Sequence, residues 1–367
     1  MAFVPFWFIL VAVLWTGFFV LEGFDMGVGM LHGVIGRDDA GRRAVINTIG
    51  PLWDGNEVWL ITAAAAIFAA FPLWYATLFS GFYLAVVLLL AALMVRGVSF
   101  EYRGKSPHDR WRGTWSRLLT TASVLVPLLL GIVLGDLLHG LPIAANHDYT
   151  GSFWDLFQPY AIVVGLTLVS ICALHGAMFT AMKTTDEVRD RARRLGRRIA
   201  PATALLVLAF IAWTHVQAGR GAFLNPVELI ACLAVIAAAA AARGHHEGWA
   251  FTATTITMAV CITTIFVDLY PRVMVSSTSP ANSLTVHNSA SGPYTLKVMT
   301  VVALVLLPVV LGYQAWTYHV FRRRISAQQF RPAPAPEPPP PPKADGEHHP
   351  RRVGSSASGG GQMDEGS

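Results

Sequence analysis

The sequence predicts an all-α polytopic membrane protein of about nine transmembrane helices, and three observations carry that reading. Of 367 residues, 54% are hydrophobic and only 13% charged, where a soluble domain has about 25% charged residues. Mean hydropathy is +0.49 even with a long polar C-terminal stretch included. The apolar residues gather in runs of about 17–25, the length that crosses a hydrocarbon core as a helix, without the period-two alternation of a β-barrel. This composition excludes a soluble enzyme. It also argues against nucleic acid as the partner of a chain with net charge +5, because the basic residues fall in short clusters between apolar runs, where lipid headgroups are their neighbours.

The expected spans are residues 3–31, 52–71, 73–95, 118–138, 157–182, 201–218, 226–242, 250–270 and 295–321. The first lacks a basic leader and a small-residue cleavage site, so it reads as a span rather than a signal peptide. Pro127 and Pro308 fall inside spans, where neighbouring groups can re-satisfy the freed backbone. One alternating set of loops holds twenty Arg and Lys residues, among them Arg37, Arg42, Arg43, the Arg96–Arg117 group, the Lys183–Arg198 group and Arg322–Arg324, while the opposite set holds only Arg220 and Arg272. Positively charged loops stay cytoplasmic, which puts the N-terminus outside and the C-terminus in the cytoplasm. Residues 1–325 form the membrane domain. From Ser326 to Ser367 the chain is rich in Pro, Gly and Ser and is expected to be a disordered cytoplasmic tail. The run Ala237–Ala242 reads as a close-packing helix face. Cys172, Cys232 and Cys261 stand singly in apolar segments as packing residues, with no CxxC spacing for metal or haem.

Ionisable residues inside spans are the informative ones, since each costs a few kcal/mol unless paired or wetted. In the inner part of the first span, Glu22 and Asp25 share a helix face, with Gly23, Gly27 and Gly29 leaving room for a neighbour. The second span opens with Trp53-Asp54-Gly55-Asn56-Glu57-Val58-Trp59, where Asp54 and Glu57 again stand three apart. Asp54 could be a helix N-cap. Capping explains one acid, however, and not the Asp-Asn-Glu set between two tryptophans, whose paired carboxylates suit proton relay from the cytoplasmic side. Arg96, near the end of the third span with Glu101 just beyond, is expected from position alone to snorkel to the interface. His32, His175, His215 and His319 show no i, i+4 pairing for metal and read as singly satisfied. Asp136 and Asp268 lie near outer span ends and read as solvated.

Three blocks taken together, EGFDMGVGML (Glu22–Leu31), GPLWDGNEVWLITAAAAIFAAFP (Gly50–Pro72) and FSGFYLAVVLLLAALMVRGVSFEYR (Phe79–Arg103), resemble subunit II of the cytochrome bd quinol oxidase family in order and spacing. The resemblance implies two four-helix bundles plus one further helix, in the bacterial cytoplasmic membrane. It implies a non-haem subunit of a respiratory terminal oxidase that couples quinol oxidation to reduction of dioxygen to water, electrogenic without pumping. The partner, subunit I, would carry two haems b, haem d and the quinol-oxidising loop. No cofactor is expected on this chain alone and no metal, although a structural quinone or lipid on it, and small single-helix partner subunits, stay open. Carried over residue by residue, Asp25 and Asp54, with Glu22 and Glu57 beside them, fall on a proton pathway. Trp59 falls on an oxygen path, and Trp53, Asn56, Arg96 and Glu101 on interface or structural positions. Three alternatives remain at this stage: the cyanide-insensitive branch of the same family, a proton-coupled transporter active alone, and a purely structural subunit.

Overall fold

In this computed structural model the described residues are 3–219, 221–244 and 246–331. The chain is helical nearly throughout. It runs α1 (Phe3–Ile35), α2 (Asp39–Asn47), α3 (Trp53–Ala70), α4 (Pro72–Gly81), α5 (Tyr83–Tyr102), α6 (Asp109–His139), α7 (Pro159–Lys183), α8 (Asp186–Gln217), α9 (Pro226–Arg243), α10 (Glu247–Leu269) and α11 (Pro293–Val320). A two-stranded antiparallel ribbon, β1 (Arg272–Met274) with β2 (Leu284–Thr285), precedes α11.

Eight helices among the described residues, α1 and α5 to α11, are long and apolar enough to cross a membrane. The second expected span, 52–71, falls on α3, which is not among those eight; it has 18 residues and so covers about 27 Å at 1.5 Å per residue. Asp54, Asn56 and Glu57 at its start lower its mean hydropathy. The third span is shifted from expectation. Instead of 73–95, the chain forms the short α4 behind Pro72, breaks at Phe82, and only then enters α5. Pro at the first helical position suits a helix start, and Gly81 is pinned there: a Cβ on it would lie 2.9 Å from the Tyr149 ring. Several basic loops are themselves helical. The stretch from Asp186 is the beginning of α8, supported by the i, i+4 pair Glu187–Arg191 at 2.6 Å.

Two sets of helices pack together. In one, α1 contacts α3 and α6, and α6 contacts α5; in the other, α7, α8, α9 and α10 pack around a ring. The two sets join where α1, α6, α7 and α10 meet. Backbones approach closely at this joint because glycines face each other: a Cβ on Gly27 would fall 1.9 Å from the Cys172 carbonyl oxygen, and one on Gly176 would strike Gly27. Such small-residue crossings replace hydrophobic drive between helices in lipid. α11 stands apart, touching α1 and α3 and leaving most of its apolar surface uncovered.

At the arginine-rich end the chain after α11 returns across the bundle. Lys183 Nζ donates to the Phe321 carbonyl at 2.5 Å, Ile325 N donates to the Lys183 carbonyl at 2.8 Å, and the Arg43 guanidinium lies 5.4 Å from the Phe330 ring. The tail anticipated from Ser326 thus begins with residues packed on α2, including a 3-10 turn at Ala327–Phe330; the remainder, 332–367, lies outside the described residues, as does Arg220. At the opposite end the ribbon and the 140–158 segment fold over the helix ends, with Val275 N donating to the Leu137 carbonyl at 3.1 Å and Leu141 N to the Val275 carbonyl at 2.9 Å. This cover corrects one expectation. Asp136 is fully buried rather than solvated, with neither carboxylate oxygen hydrogen-bonded, and Asp268 is buried too, accepting from Asn225 Nδ2 at 3.2 Å.

Candidate functional site: a buried arginine and carboxylate cluster

α1 supplies Glu22 and Asp25, one turn apart and both fully buried. α5 supplies Arg96. It does not snorkel, contrary to its position in the sequence: it is fully buried because partners on two other helices reach it. Its Nη1 is ion-paired with Glu22 Oε1 and lies 3.2 Å from Glu57 Oε2 of α3. The guanidinium also sits 5.2 Å from the Phe100 ring, which in turn packs on Trp53 at 5.1 Å. Both carboxylates meet the same nitrogen, Nη1, while Nε and Nη2 are buried without a hydrogen-bond partner, so the guanidinium is held by charge and by the aromatic face rather than by a bidentate fork.

Asn56 is the second centre. Its Nδ2 donates to Asp25 Oδ2 at 2.6 Å and to the Leu21 carbonyl at 3.2 Å, while its Oδ1 accepts from Gln314 Nε2 at 2.7 Å and from Tyr318 OH at 2.9 Å. Every hydrogen-bonding position of this amide is therefore filled, and it ties α1, α3 and α11 together. Gln314 and Tyr318 were missed by sequence reasoning. The available signal was their i, i+4 spacing in an otherwise apolar last span.

Asp54 is exposed at the arginine-rich end, and it is not an N-cap: the cap position of α3 is Leu52, with no side-chain capping bond. Glu57 is partly exposed and lies between Asp54 and the buried pair, so the acids form a series from surface to interior. One guanidinium cannot neutralise Glu22, Asp25 and Glu57 together, and a cluster two cations short is suited to taking up and returning protons. Trp59 packs inward, where a Cβ on Gly17 of α1 would lie 2.7 Å from its ring. Glu101 is exposed and stands apart from the cluster.

Beside the acids runs an apolar cleft of about 960 Å³ between α3, α5 and α6, with Asp54 and Glu57 at one end, Trp74 and Tyr75 towards the other, and Leu89 and Leu134 along the walls. Trp59 is not among its lining residues. No group of three His, Cys, Asp or Glu placed to hold a metal is found among the described residues. The buried histidines are engaged individually: His175 Nδ1 with Thr254 Oγ1 at 2.7 Å and Nε2 with the Val20 carbonyl at 3.3 Å, His32 Nδ1 with the Gly29 carbonyl at 2.7 Å.

These features define a polytopic helical membrane subunit with an ion cluster at the meeting of its first, third and fifth helices. Residues 4–321 match the family profile of cytochrome bd terminal oxidase subunit II, and the chain belongs to that family. It is 45% identical over 327 residues to cytochrome bd ubiquinol oxidase subunit 2 of Bacillus subtilis, covering 88% of this chain and 97% of that one. It is 37% identical over 361 residues to cytochrome bd-I ubiquinol oxidase subunit 2 of Escherichia coli K12, covering 88% and 95%. A chain of the bd oxidase of Geobacillus thermodenitrificans has the same fold, with TM-score 0.69 at 17% identity over 88% of this chain and 99% of that chain. The protein is thus subunit II of a terminal quinol oxidase, a multi-pass protein of the bacterial cytoplasmic membrane, and the transporter alternative falls away.

Proposed function

We propose that this chain supplies proton and oxygen access to a haem-bearing subunit I and stabilises it, with its N-terminus outside and its arginine-rich end in the cytoplasm. Family membership implies haem in the complex. We assign two haems b and haem d to the partner, where they would supply electron transfer and oxygen reduction. The observation that carries the proton reading is the succession of acids: exposed Asp54 and partly exposed Glu57 three residues apart on α3, and the buried Arg96–Glu22–Asp25 cluster that Glu57 reaches through Arg96.

On this reading Asp54 collects protons at the cytoplasmic surface and Glu57 passes them inward. Arg96 holds Glu22 and Glu57 within reach of one another, and Asn56 fixes Asp25 and orders α11 against the cluster. Trp53 and Glu101, with Arg96, serve the structure and the subunit interface. Protons consumed in forming water come from the cytoplasm while the protons of quinol leave outside, which makes the reaction electrogenic without a pump, each charge moved being worth about 2.3 kcal/mol per 100 mV. Dioxygen partitions into apolar surroundings, and Trp59, packed on Gly17, borders its path. The cleft between α3, α5 and α6 suits a lipid chain or the isoprenoid tail of a structural quinone, with its polar end at Asp54. Small single-helix subunits would find uncovered apolar surface on α11.

Asp54→Asn in the purified two-subunit oxidase tests the proton role. Turnover falls while haem content stays equal to the parent; equal haem with unchanged turnover removes the role. For Trp59→Ala, the apparent oxygen affinity changes, and an unaltered oxygen dependence takes the residue off the gas path.

A further inference from the structure

The seam between α1 and α6 holds polar groups that the path through α3 does not use. On α1, Asp25 and His32 stand seven residues apart on one stripe with Gly29 between them, and both side chains are fully buried. On α6, Ser116, Thr120 and Ser123 form the matching stripe. Thr120 Oγ1 lies 3.5 Å from the Gly29 carbonyl, and a Cβ on Gly29 would fall 2.1 Å from Ser123 Oγ, so that hydroxyl rests on the α1 backbone between Asp25 and His32.

Three atoms along this seam, Asp25 Oδ1, Ser123 Oγ and His32 Nε2, are buried without a hydrogen-bond partner. Buried polar atoms are nearly always satisfied, and where protein does not satisfy them ordered water does. The tautomer of His32 follows from its neighbour: Nδ1 lies 2.7 Å from the Gly29 carbonyl, which only accepts, so Nδ1 carries the hydrogen and Nε2 presents a lone pair. The charges facing the ring are cationic, Arg42 of α2 and Arg103 just after α5. Beyond them, Arg191 of α8 donates to the Ile35 carbonyl at the end of α1. Nε2 is therefore the acceptor that the ring offers to the seam. The seam reaches the surface where Arg103 Nε donates to Ser116 Oγ at 2.8 Å and its Nη2 pairs with Asp39 at 2.8 Å, the Asp39 side chain being 35% exposed.

We propose that this seam is a second proton inlet to Asp25, a file of waters held by Ser116, Thr120, His32 and Ser123, parallel to the inlet through Asp54 and Glu57. One proton joins the file at Asp39 and Ser116, each water passes one hydrogen inward as it accepts the next, and one proton arrives on the Asp25 carboxylate. His32 and Ser123 are positioning residues. The inference rests on the proton role of Asp25, and the test separates the two.

Parallel routes add, so closing either one leaves the other, whereas steps in series multiply. In the purified two-subunit oxidase reconstituted in liposomes, His32→Leu and Asp54→Asn are each expected to slow proton uptake about twofold, and the pair more than tenfold, at unchanged haem content. His32→Gln, which keeps an acceptor for water, restores most of the uptake in the Asp54→Asn background. Ser123→Ala, a smaller side chain that leaves the fold undisturbed, reproduces the His32→Leu effect and stands in for it should haem content fall. Effects of the double variant no larger than the product of the single ones overturn the second inlet. Asp25→Asn with undiminished uptake overturns the underlying proton role instead.

Discussion

The two helix sets of this subunit bury polar groups in different ways. In the set containing α1, α3, α5 and α6, buried charges bind across helices and connect: Arg96 reaches Glu22 and Glu57, Asp25 reaches Asn56, and Asn56 reaches α11. In the α7 to α10 set the polar contacts also join helices, but as two-residue pairs in the interior and as a cluster at one end, where Glu228 accepts from Asn225 N at 2.7 Å and Asn225 Nδ2 donates to Asp268 at 3.2 Å. Tyr160 OH meets Thr214 at 2.9 Å, His175 meets Thr254, and His215 Nδ1 meets Glu228 at 3.0 Å, while α9 packs through Ala238, Ala239 and Ala242. A connected series that leads from an exposed acid to a buried one can form a path; pairs and end clusters satisfy themselves. On the proposed reading, one set conducts and the other supports.

The largest effect should come from breaking the connection at its one cation. Arg96→Met leaves Glu22 buried without a counter-charge, and loss of one partner of a buried pair costs about 3–5 kcal/mol. Thermal unfolding of the purified oxidase should show this as a marked loss of stability, and adding Glu22→Gln should recover part of it. A variant as stable as the parent would mean that the cluster is not held by charge. Next comes the joint between the sets. Gly27→Leu places a side chain where the Cys172 carbonyl oxygen stands, and such overpacking costs typically 1–3 kcal/mol; turnover per assembled, haem-containing complex should change less than yield. Equal yield would show that the two sets are free to separate.

Much of this contrast was legible in the sequence. Eight of the nine apolar runs fall on helices long and apolar enough to cross a membrane, and two acids beside glycines in the first run marked Glu22 and Asp25. Arg96 was misread because its partners, Glu22 and Glu57, sit on helices far away in sequence, so nothing local distinguished a paired arginine from a snorkelling one. The split at Phe82 was hidden inside an otherwise apolar stretch, where Ser80 and Gly81 alone were too weak a signal to mark the break. Asp136 looked solvated because its position near a span end gives no hint that a ribbon more than a hundred residues later folds over it. Gln314 and Tyr318 joined the site for the same reason: their contact with Asn56 spans most of the chain.

A smaller effect separates the sets further. Tyr160→Phe removes a buried hydroxyl pair in the supporting set and should cost about 1 kcal/mol with turnover unchanged. A fall in turnover equal to that of Asp54→Asn would erase the distinction between conducting and supporting helices.

The smallest effect belongs to the surface segment that joins α6 to α7. Asp155 there accepts from Ser152 N at 2.7 Å and from its hydroxyl at 3.0 Å, which holds the Asp155 carboxyl below the usual carboxylate range. A carboxylate with a depressed folded value favours the cap above the unfolded value of about 4, and that contribution is lost as pH falls through the lower folded value. Amide exchange at Ser152 should therefore quicken, beyond its intrinsic pH trend, only under strongly acidic conditions, and Asp155→Asn should abolish that extra change. Because Asp155 is exposed and touches neither set's interior, thermal stability at neutral pH should fall in Asp155→Asn by no more than the small contribution of the cap itself. A fall as large as that of Tyr160→Phe would make the link between the sets part of the support and not merely the chain that connects them.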